Sequence, residues 1–168
     1  HWQIVLWNLG LISLFGIQHS VMARDWFKNW ITSLLPKSIE RITYILLTSF
    51  VVAILISQWQ PFGYYFWDFR GSWLGYIMYI ISFVGLGISA ISASLINSKS
   101  FIGWEQIHSL DGKAEKEFVM PFLYNYVRHP IYFGLLVGFW AVPVMSGSGL
   151  LFNICMTLYI ILGSHLEE

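Results

Sequence analysis

The chain has 168 residues, with nine Lys/Arg balanced by nine Asp/Glu, and its net charge is zero. Charged residues make up 11%, against about 25% in a typical soluble domain, while apolar residues reach 57%, aromatics 18% and mean hydropathy +0.63. That leaves too little charge for a soluble exterior and no electrostatic attraction for nucleic acid, so the composition specifies an all-α integral membrane protein in a lipid bilayer.

Uncharged runs set the expected spans at residues 1–22, 42–67, 71–98 and 129–166. One crossing takes about 20 apolar residues, so the first three runs each predict one helix. The fourth, with 38 residues, is too long for one crossing and barely enough for two. Its centre reads Pro143-Val144-Met145-Ser146-Gly147-Ser148-Gly149, a stretch suited to a tight turn. The expectation is therefore about five transmembrane helices, the last two forming a short hairpin from residues 129–144 and 150–166, each about 24–26 Å long.

Charge placement agrees with that count. Residues 23–41 hold Arg24, Lys28, Lys37 and Arg41, and the next loop holds only Arg70. The connector at residues 99–128 holds Lys99, Lys113, Lys116 and Arg128, and the final turn holds no basic residue. The alternation predicts a cytoplasmic first and third loop, a cytoplasmic C-terminus and an external N-terminus. Trp59, Tyr64, Tyr65, Trp67, Trp73 and Tyr76 read as an aromatic belt around the outer loop. Trp26, Phe27 and Trp30 beside Arg24 and Lys28 predict a short interfacial helix. Gly85, Gly87, Ser89, Ala90 and Ala93 predict close helix packing along the third span. No repeat or linker interrupts the sequence, so residues 1–168 read as one domain. The chain opens on His1 rather than Met and closes on two glutamates, so further residues are expected at one or both natural ends. Cys155 is the sole cysteine and lies inside an apolar run, which excludes an intramolecular disulfide.

The stretch richest in chemistry is Arg128-His129-Pro130-Ile131-Tyr132-Phe133-Gly134, at the mouth of the last apolar run. Proline suits a first helical turn, and the free amides and dipole of that turn attract an anion. Arg128 adds a full charge. The structural alternative is equally simple: Arg128 snorkels, His129 caps and Pro130 starts the helix. Glu167 and Glu168 close the other arm, where charges ordinarily mark the water boundary. In an antiparallel hairpin they return to the level of Arg128 and His129, and cationic and anionic clusters then share a pocket suited to a zwitterion.

Arg128-His129-Pro130-x-Tyr132-x-Gly134, followed after a hairpin-length run by Glu167-Glu168, resembles the integral membrane methyltransferases of the isoprenylcysteine carboxyl methyltransferase superfamily. Within it the chain is most similar to the methanethiol S-methyltransferases, which convert methanethiol to dimethyl sulfide. That similarity runs through Gln18-His19-Ser20-Val21-Met22-Ala23-Arg24, Trp26-Phe27-Lys28, Glu40-Arg41, Thr43-Tyr44, Gln58-Trp59, Leu95-Ile96-Asn97 and Phe139-Trp140-Ala141. The chain departs from the family's pattern at residues 98–117, where Ser98-Lys99-Ser100-Phe101-Ile102-Gly103-Trp104-Glu105 replaces a His-Phe-acidic-Leu-Phe-Gly-Leu stretch.

The resemblance implies S-adenosylmethionine as methyl donor and S-adenosylhomocysteine as product, with a small apolar thiol as acceptor. It assigns donor contacts to Arg128, His129, Pro130, Tyr132, Gly134, Glu167 and Glu168. Methyl transfer from a sulfonium is a direct displacement in which alignment dominates, and no metal is needed. No metal-ligand spacing is present among His19, His108, His129 and His165. A thiol reacts as thiolate, so His19 is the candidate base, with His108 second. Arg128 is a candidate partner for the donor's carboxylate and Asn97 for orienting the acceptor. The site is expected to face the cytoplasm, and nothing in the sequence calls for an obligate protein partner. Three rivals stay open: methylation of another lipid-soluble acceptor such as an isoprenylcysteine carboxylate, a haem-binding electron carrier using His19, His129 or His165, and a small transporter or assembly subunit, disfavoured because no charge sits mid-span.

Overall fold

The computed structural model describes residues 2–95 and 127–167. Among them are six helices and two short strands: α1 (Trp2–Ala23), α2 (Asp25–Leu34), α3 (Lys37–Gln58), β1 (Tyr65–Asp68), α4 (Trp73–Leu95), α5 (Pro130–Trp140), β2 (Val144–Ser146) and α6 (Gly147–Glu167). Stretches of α1, α3, α4 and α6 are long and apolar enough to cross a membrane; α5 is apolar but only 11 residues long. These elements belong to two compact units, one of residues 6–59 and one of residues 2–5, 60–95 and 127–167.

In the first unit, α1 and α3 run antiparallel. The Trp7 indole donates to the Gln58 carbonyl at 3.0 Å near one end, and Gln18 Nε2 donates to Thr48 Oγ1 at 3.2 Å towards the other. Helix α2 joins them. Its apolar side, with Trp26, Trp30 and Leu34 turned outward, matches the interfacial helix expected from the sequence. Pro36, fixed near φ −55°, stands at the N-cap of α3. The helix therefore begins at Lys37, five residues before the uncharged run, and takes Glu40 and Arg41 into its first turns.

The second unit is built on a close α4–α5 seam. Ser82 Oγ donates to the Gly138 carbonyl and Ser89 Oγ to the Ile131 carbonyl, each at 2.7 Å. Later residues of α4 thus meet earlier residues of α5, and the two are antiparallel. Between the two bonds, Gly85 of α4 meets Gly134 and Gly138 of α5 so closely that a Cβ on Gly134 would lie 2.5 Å from the Gly85 carbonyl oxygen. Only a residue without Cβ allows that approach. Gly85 and Ser89 thus form the expected small-residue face, while Gly87 meets nothing.

Strands β1 and β2 pair antiparallel, Trp67 opposite Met145 and Asp68 opposite Val144. In place of the aromatic belt and turn expected at these residues, the fold forms a two-stranded sheet. Strands of four and three residues are too short to show an alternating pattern, and their pairing answers a backbone need instead. The first amides of a helix have no partner within it; at α6, Gly147 N–H donates to the Tyr64 carbonyl at 3.1 Å and Ser148 N–H to that of Phe62 at 3.0 Å. Gly63, at φ +81°, lets the two loops touch. Helix α6 therefore starts at Gly147, and the tight turn expected at residues 143–149 becomes a strand followed by a helix start.

The expected hairpin is present with unequal arms, α5 of 11 residues and α6 of 21. Trp140 Nε1 donates to Thr157 Oγ1 at 3.0 Å, ten residues, about 15 Å, into α6. Helix α5 thus ends level with the middle of α6, its last helical bond running from Ala141 N–H to the Val137 carbonyl at 3.0 Å, and residues 142–146 return to the sheet. Loose backbone at membrane depth must find partners inside the protein. Here Gly138 C=O accepts from Ser82 Oγ, Phe139 C=O from Asn153 Nδ2 at 2.7 Å, Val142 C=O from Trp67 Nε1 at 2.9 Å and Pro143 C=O from Phe69 N–H at 2.9 Å.

Candidate functional site

The mouth of α5 follows from its sequence. His129 is the N-cap with non-helical backbone (φ −127°, ψ 71°), and Pro130 occupies the first turn, where its missing amide removes no bond. The His129 carbonyl accepts from Phe133 N–H at 3.0 Å, and the His129 side chain makes no cap bond to the turn. The His129 ring stacks on Tyr132, centroids 5.4 Å apart and planes 25° from parallel. Pro130 is fully buried and Arg128 exposed. Arg128, His129 and Tyr132 thus form one polar and aromatic rim on a helix N-terminus, with Pro130 beneath.

Gly134 lies one turn further in, buried against α4, where a Cβ would also meet Ser89 Oγ at 2.5 Å and Ser89 N at 2.8 Å. Its direct part is therefore in helix packing, and through the Ser89–Ile131 bond it sets where the rim stands. In the sequence Ser89 reads only as a small residue for close packing, and the bond to Ile131 is not part of that reading. The seven-residue spacing of Ser82 and Ser89, two turns on one face, was the available signal.

Helix α6 closes with His165 in its last turn and Glu167 as its final residue. From the Trp140–Thr157 bond, α5 runs back ten residues to Pro130 and α6 runs on ten residues to Glu167. At 1.5 Å per residue both distances are about 15 Å, which is the backbone register expected for the Arg128–His129 and Glu167 clusters. Glu168, Asn97 and His108 lie outside the described residues.

His19 belongs to the other unit. The Tyr44 hydroxyl lies 2.9 Å from its Nδ1 and 3.1 Å from its Nε2, and Phe15 stacks on its ring at 5.4 Å. Tyr44 and Thr48, four apart on α3, stand one turn from each other, and they meet the adjacent residues His19 and Gln18 of α1. Tyr44, to which the sequence alone assigns no role, orients the imidazole of the candidate base.

The family model for phospholipid methyltransferases matches residues 72–168 of this chain. The chain is similar to methanethiol S-methyltransferase 1 of Bradyrhizobium diazoefficiens, with 41% identity over 169 residues, covering 99% of this chain and 59% of the relative. It is similar to the methanethiol S-methyltransferase of Crocosphaera subtropica, 38% identical over 98% of this chain and 66% of the relative. The methanethiol S-methyltransferase of Mycobacterium tuberculosis is 39% identical over 99% of this chain and 69% of the relative. The chain thus spans between 59% and 69% of the length of these relatives. No solved structure matches.

Proposed function

This chain belongs to the phospholipid methyltransferase family, and on that premise we propose that it transfers a methyl group from S-adenosylmethionine to a small lipid-soluble thiol. Methanethiol is the proposed acceptor, with dimethyl sulfide and S-adenosylhomocysteine as products. The observation that carries the donor half is the proline-started N-terminus of α5, rimmed by Arg128 and the His129–Tyr132 stack. The acceptor half rests on the relatives, similar over nearly the whole of this chain, whose names state methanethiol S-methyltransferase.

The chemistry of that rim fits the donor. A zwitterionic amino acid joined to an adenosine needs a cation, carboxylate acceptors and an aromatic surface. Arg128 supplies the first, and would bind the α-carboxylate through charge-assisted bonds beside the helix N-terminus. Glu167 and Glu168 would accept from the α-ammonium or ribose hydroxyls. His129 and Tyr132 would lie against the donor, with Pro130 and Gly134 shaping the rim from below. Bound there, the donor supplies a methyl group already activated on a sulfonium. His19 would take the thiol proton, held for that role by Tyr44, and Asn97 would orient the acceptor.

The site is proposed to face the cytoplasm, on the four, one, four, zero alternation of basic residues between loops. A Ser33→Cys variant in α2 tests this. Cytoplasmic-side maleimide should label it in inverted vesicles, and labelling only from the periplasmic face would reverse the topology.

Purified protein in detergent with S-adenosylmethionine and methanethiol should release dimethyl sulfide into the headspace. An isoprenylcysteine offered in the same vial should not be methylated. Absence of dimethyl sulfide, and of S-adenosylhomocysteine with every thiol tried, defeats the proposal.

A further inference from the structure

Helix α4 carries four serines, and three of them are bonded. Ser82 Oγ donates to the Gly138 carbonyl, Ser89 Oγ to that of Ile131 and Ser94 Oγ to that of Ile91, each at 2.7 Å. Ser92 is fully buried, and its Oγ finds no hydrogen-bond partner among the described residues. A helical serine ordinarily falls back on a carbonyl three or four residues earlier, as Ser94 does, yet Ser92 takes neither. Its hydrogen turns freely about the C–O bond, so no choice of orientation gives it an acceptor. A buried hydroxyl left this way forfeits its hydration with nothing in return, and such groups are few in folded proteins.

The register of the α4–α5 seam fixes where this hydroxyl lies. Gly85, Ser89 and Ser92 follow one another on the buried face of α4, and Ser89 meets both Gly134 and Ile131 of α5. Three residues further along α4 is about 4.5 Å, and the same step on the antiparallel α5 leads back to His129 and Pro130. Ser92 therefore stands at the height of the first turn of α5, whose leading amides have no partner within the helix. Pro130, at that height, is fully buried as well, and Arg128 just before it is exposed. The turn, the Arg128 guanidinium and the Ser92 hydroxyl can all donate to one anion.

We propose that Ser92 belongs to the methyl-donor site, its hydroxyl donating to the α-carboxylate of S-adenosylmethionine. The inference rests on the methyltransferase reading above and adds a second helix to that site. Arg128 holds the carboxylate from the residue before the cap, and Ser92 holds it from α4. A carboxylate has about four lone-pair sites on its two oxygens, enough for both. Entry of the carboxylate requires the half-buried His129 and Tyr132 side chains to give way. Once made, the bond is charge-assisted and shielded from water, which strengthens it. The hydroxyl thus costs the unliganded protein and contributes only in the complex, a combination that a packing role does not produce.

The test compares S-adenosylhomocysteine with S-adenosyl-3-thiopropylamine, which lacks only the carboxylate, by calorimetry on the detergent-solubilised protein. Ser92→Ala should weaken the first at least about tenfold, the lower range for a hydrogen bond to a charged group, and change the second less than about twofold. The unliganded variant should melt no lower than the unaltered protein, because no bond is lost and alanine is the better helix former. Ser89→Ala is the contrast, since it breaks the bond to Ile131 and should melt lower. In turnover, Ser92→Ala should raise the KM for S-adenosylmethionine at least about tenfold and leave that of the thiol unchanged.

Equal weakening of the two ligands overturns the proposal, since the side chain then acts through packing. So does a Ser92→Ala variant that melts as low as Ser89→Ala, because the hydroxyl is then bonded within the fold. If Ser92→Ala does not fold, Ser92→Cys decides: it offers a weak donor in a similar shape, and its loss should again be confined to S-adenosylhomocysteine. An unaltered protein that binds neither ligand refutes the proposed function together with the inference. One that binds S-adenosylhomocysteine no better than Ser92→Ala does refutes the inference alone.

Discussion

Gly134→Ala tests whether the α4–α5 seam sets the position of the rim. The added Cβ would stand 2.5 Å from the Gly85 carbonyl oxygen, 2.5 Å from Ser89 Oγ and 2.8 Å from Ser89 N. Two of those atoms are backbone and cannot rotate away. Relief requires the helices to part by several tenths of an ångström, and overpacking of this kind costs about 1–3 kcal/mol. Parting also strains the Ser89–Ile131 bond, worth about 1 kcal/mol. Against these stands the higher helix propensity of alanine, about 1 kcal/mol in its favour. The net expectation is a loss of about 1–3 kcal/mol, read from reversible unfolding in mixed micelles. The control is Gly87→Ala on α4, where the new Cβ meets nothing within 4 Å and only the propensity gain applies. Affinity for S-adenosylhomocysteine should fall with stability in Gly134→Ala and hold in Gly87→Ala. Equal stability of the two variants would refute the seam.

The other predictions concern the rim and the loop between β1 and α4. Arg128→Ala should weaken S-adenosylhomocysteine binding in calorimetry at least about tenfold, the lower range for a hydrogen bond to a charged group, and Glu167→Ala should do likewise. His129→Ala should cost about 3- to 10-fold, the scale of one ring stack; unchanged binding in both His129→Ala and Glu167→Ala would remove the bracketed pocket. In the loop between β1 and α4, the Arg70 guanidinium bonded to Asp68 holds that carboxyl down at about 2, below its ordinary 3.8, and the same bond raises Arg70. A depressed folded value means that the pair's contribution is complete above pH 3.8 and vanishes as pH falls through about 2. Acid melts should therefore separate from those of Asp68→Asn only above that window and converge at its lower end. Both groups are exposed, so the separation should be small and should shrink with salt.

What could be read from the sequence was what depends on neighbours along the chain. Helix α1 ends one residue past its uncharged run and α4 begins two residues inside its own, because nothing but charge or a breaker bounds a span. The mouth of α5 was legible for the same reason, since Arg128, His129 and Pro130 act within one turn. At α3 charge misled: Lys37, Glu40 and Arg41 lie inside the helix because Pro36 starts it, and α3 stops at Gln58, three residues short of Pro61. What stayed hidden depends on pairs far apart. Gln18 with Thr48, His19 with Tyr44 and Trp67 with the Val142 carbonyl are separated by 30, 25 and 75 positions. Such contacts need a helix register, which composition and periodicity do not supply.

The break after Trp140 gives that register a sharp test, because the site depends on it. Were the helix continued from Pro130 to residue 146, it would span only about 24 Å against about 30 Å for α6 and stop short of Glu167; ending level with Thr157 brings Pro130 to the level of Glu167. The break is tenable only while its carbonyls are satisfied, and Asn153 is the side chain most committed to this. It is 5% exposed, and its Nδ2 donates to the Phe139 carbonyl at 2.7 Å. Asn153→Leu keeps the volume but strands that carbonyl away from water, at a cost of about 1–3 kcal/mol. Thr157→Val removes the acceptor of the Trp140 indole at a more exposed place and should cost less, about 1 kcal/mol. Unfolding in mixed micelles separates the two. An Asn153→Leu variant as stable as the unaltered protein would mean that the Phe139 carbonyl is satisfied within a continuing helix, and the level assigned to the Arg128–His129 rim would fall with it.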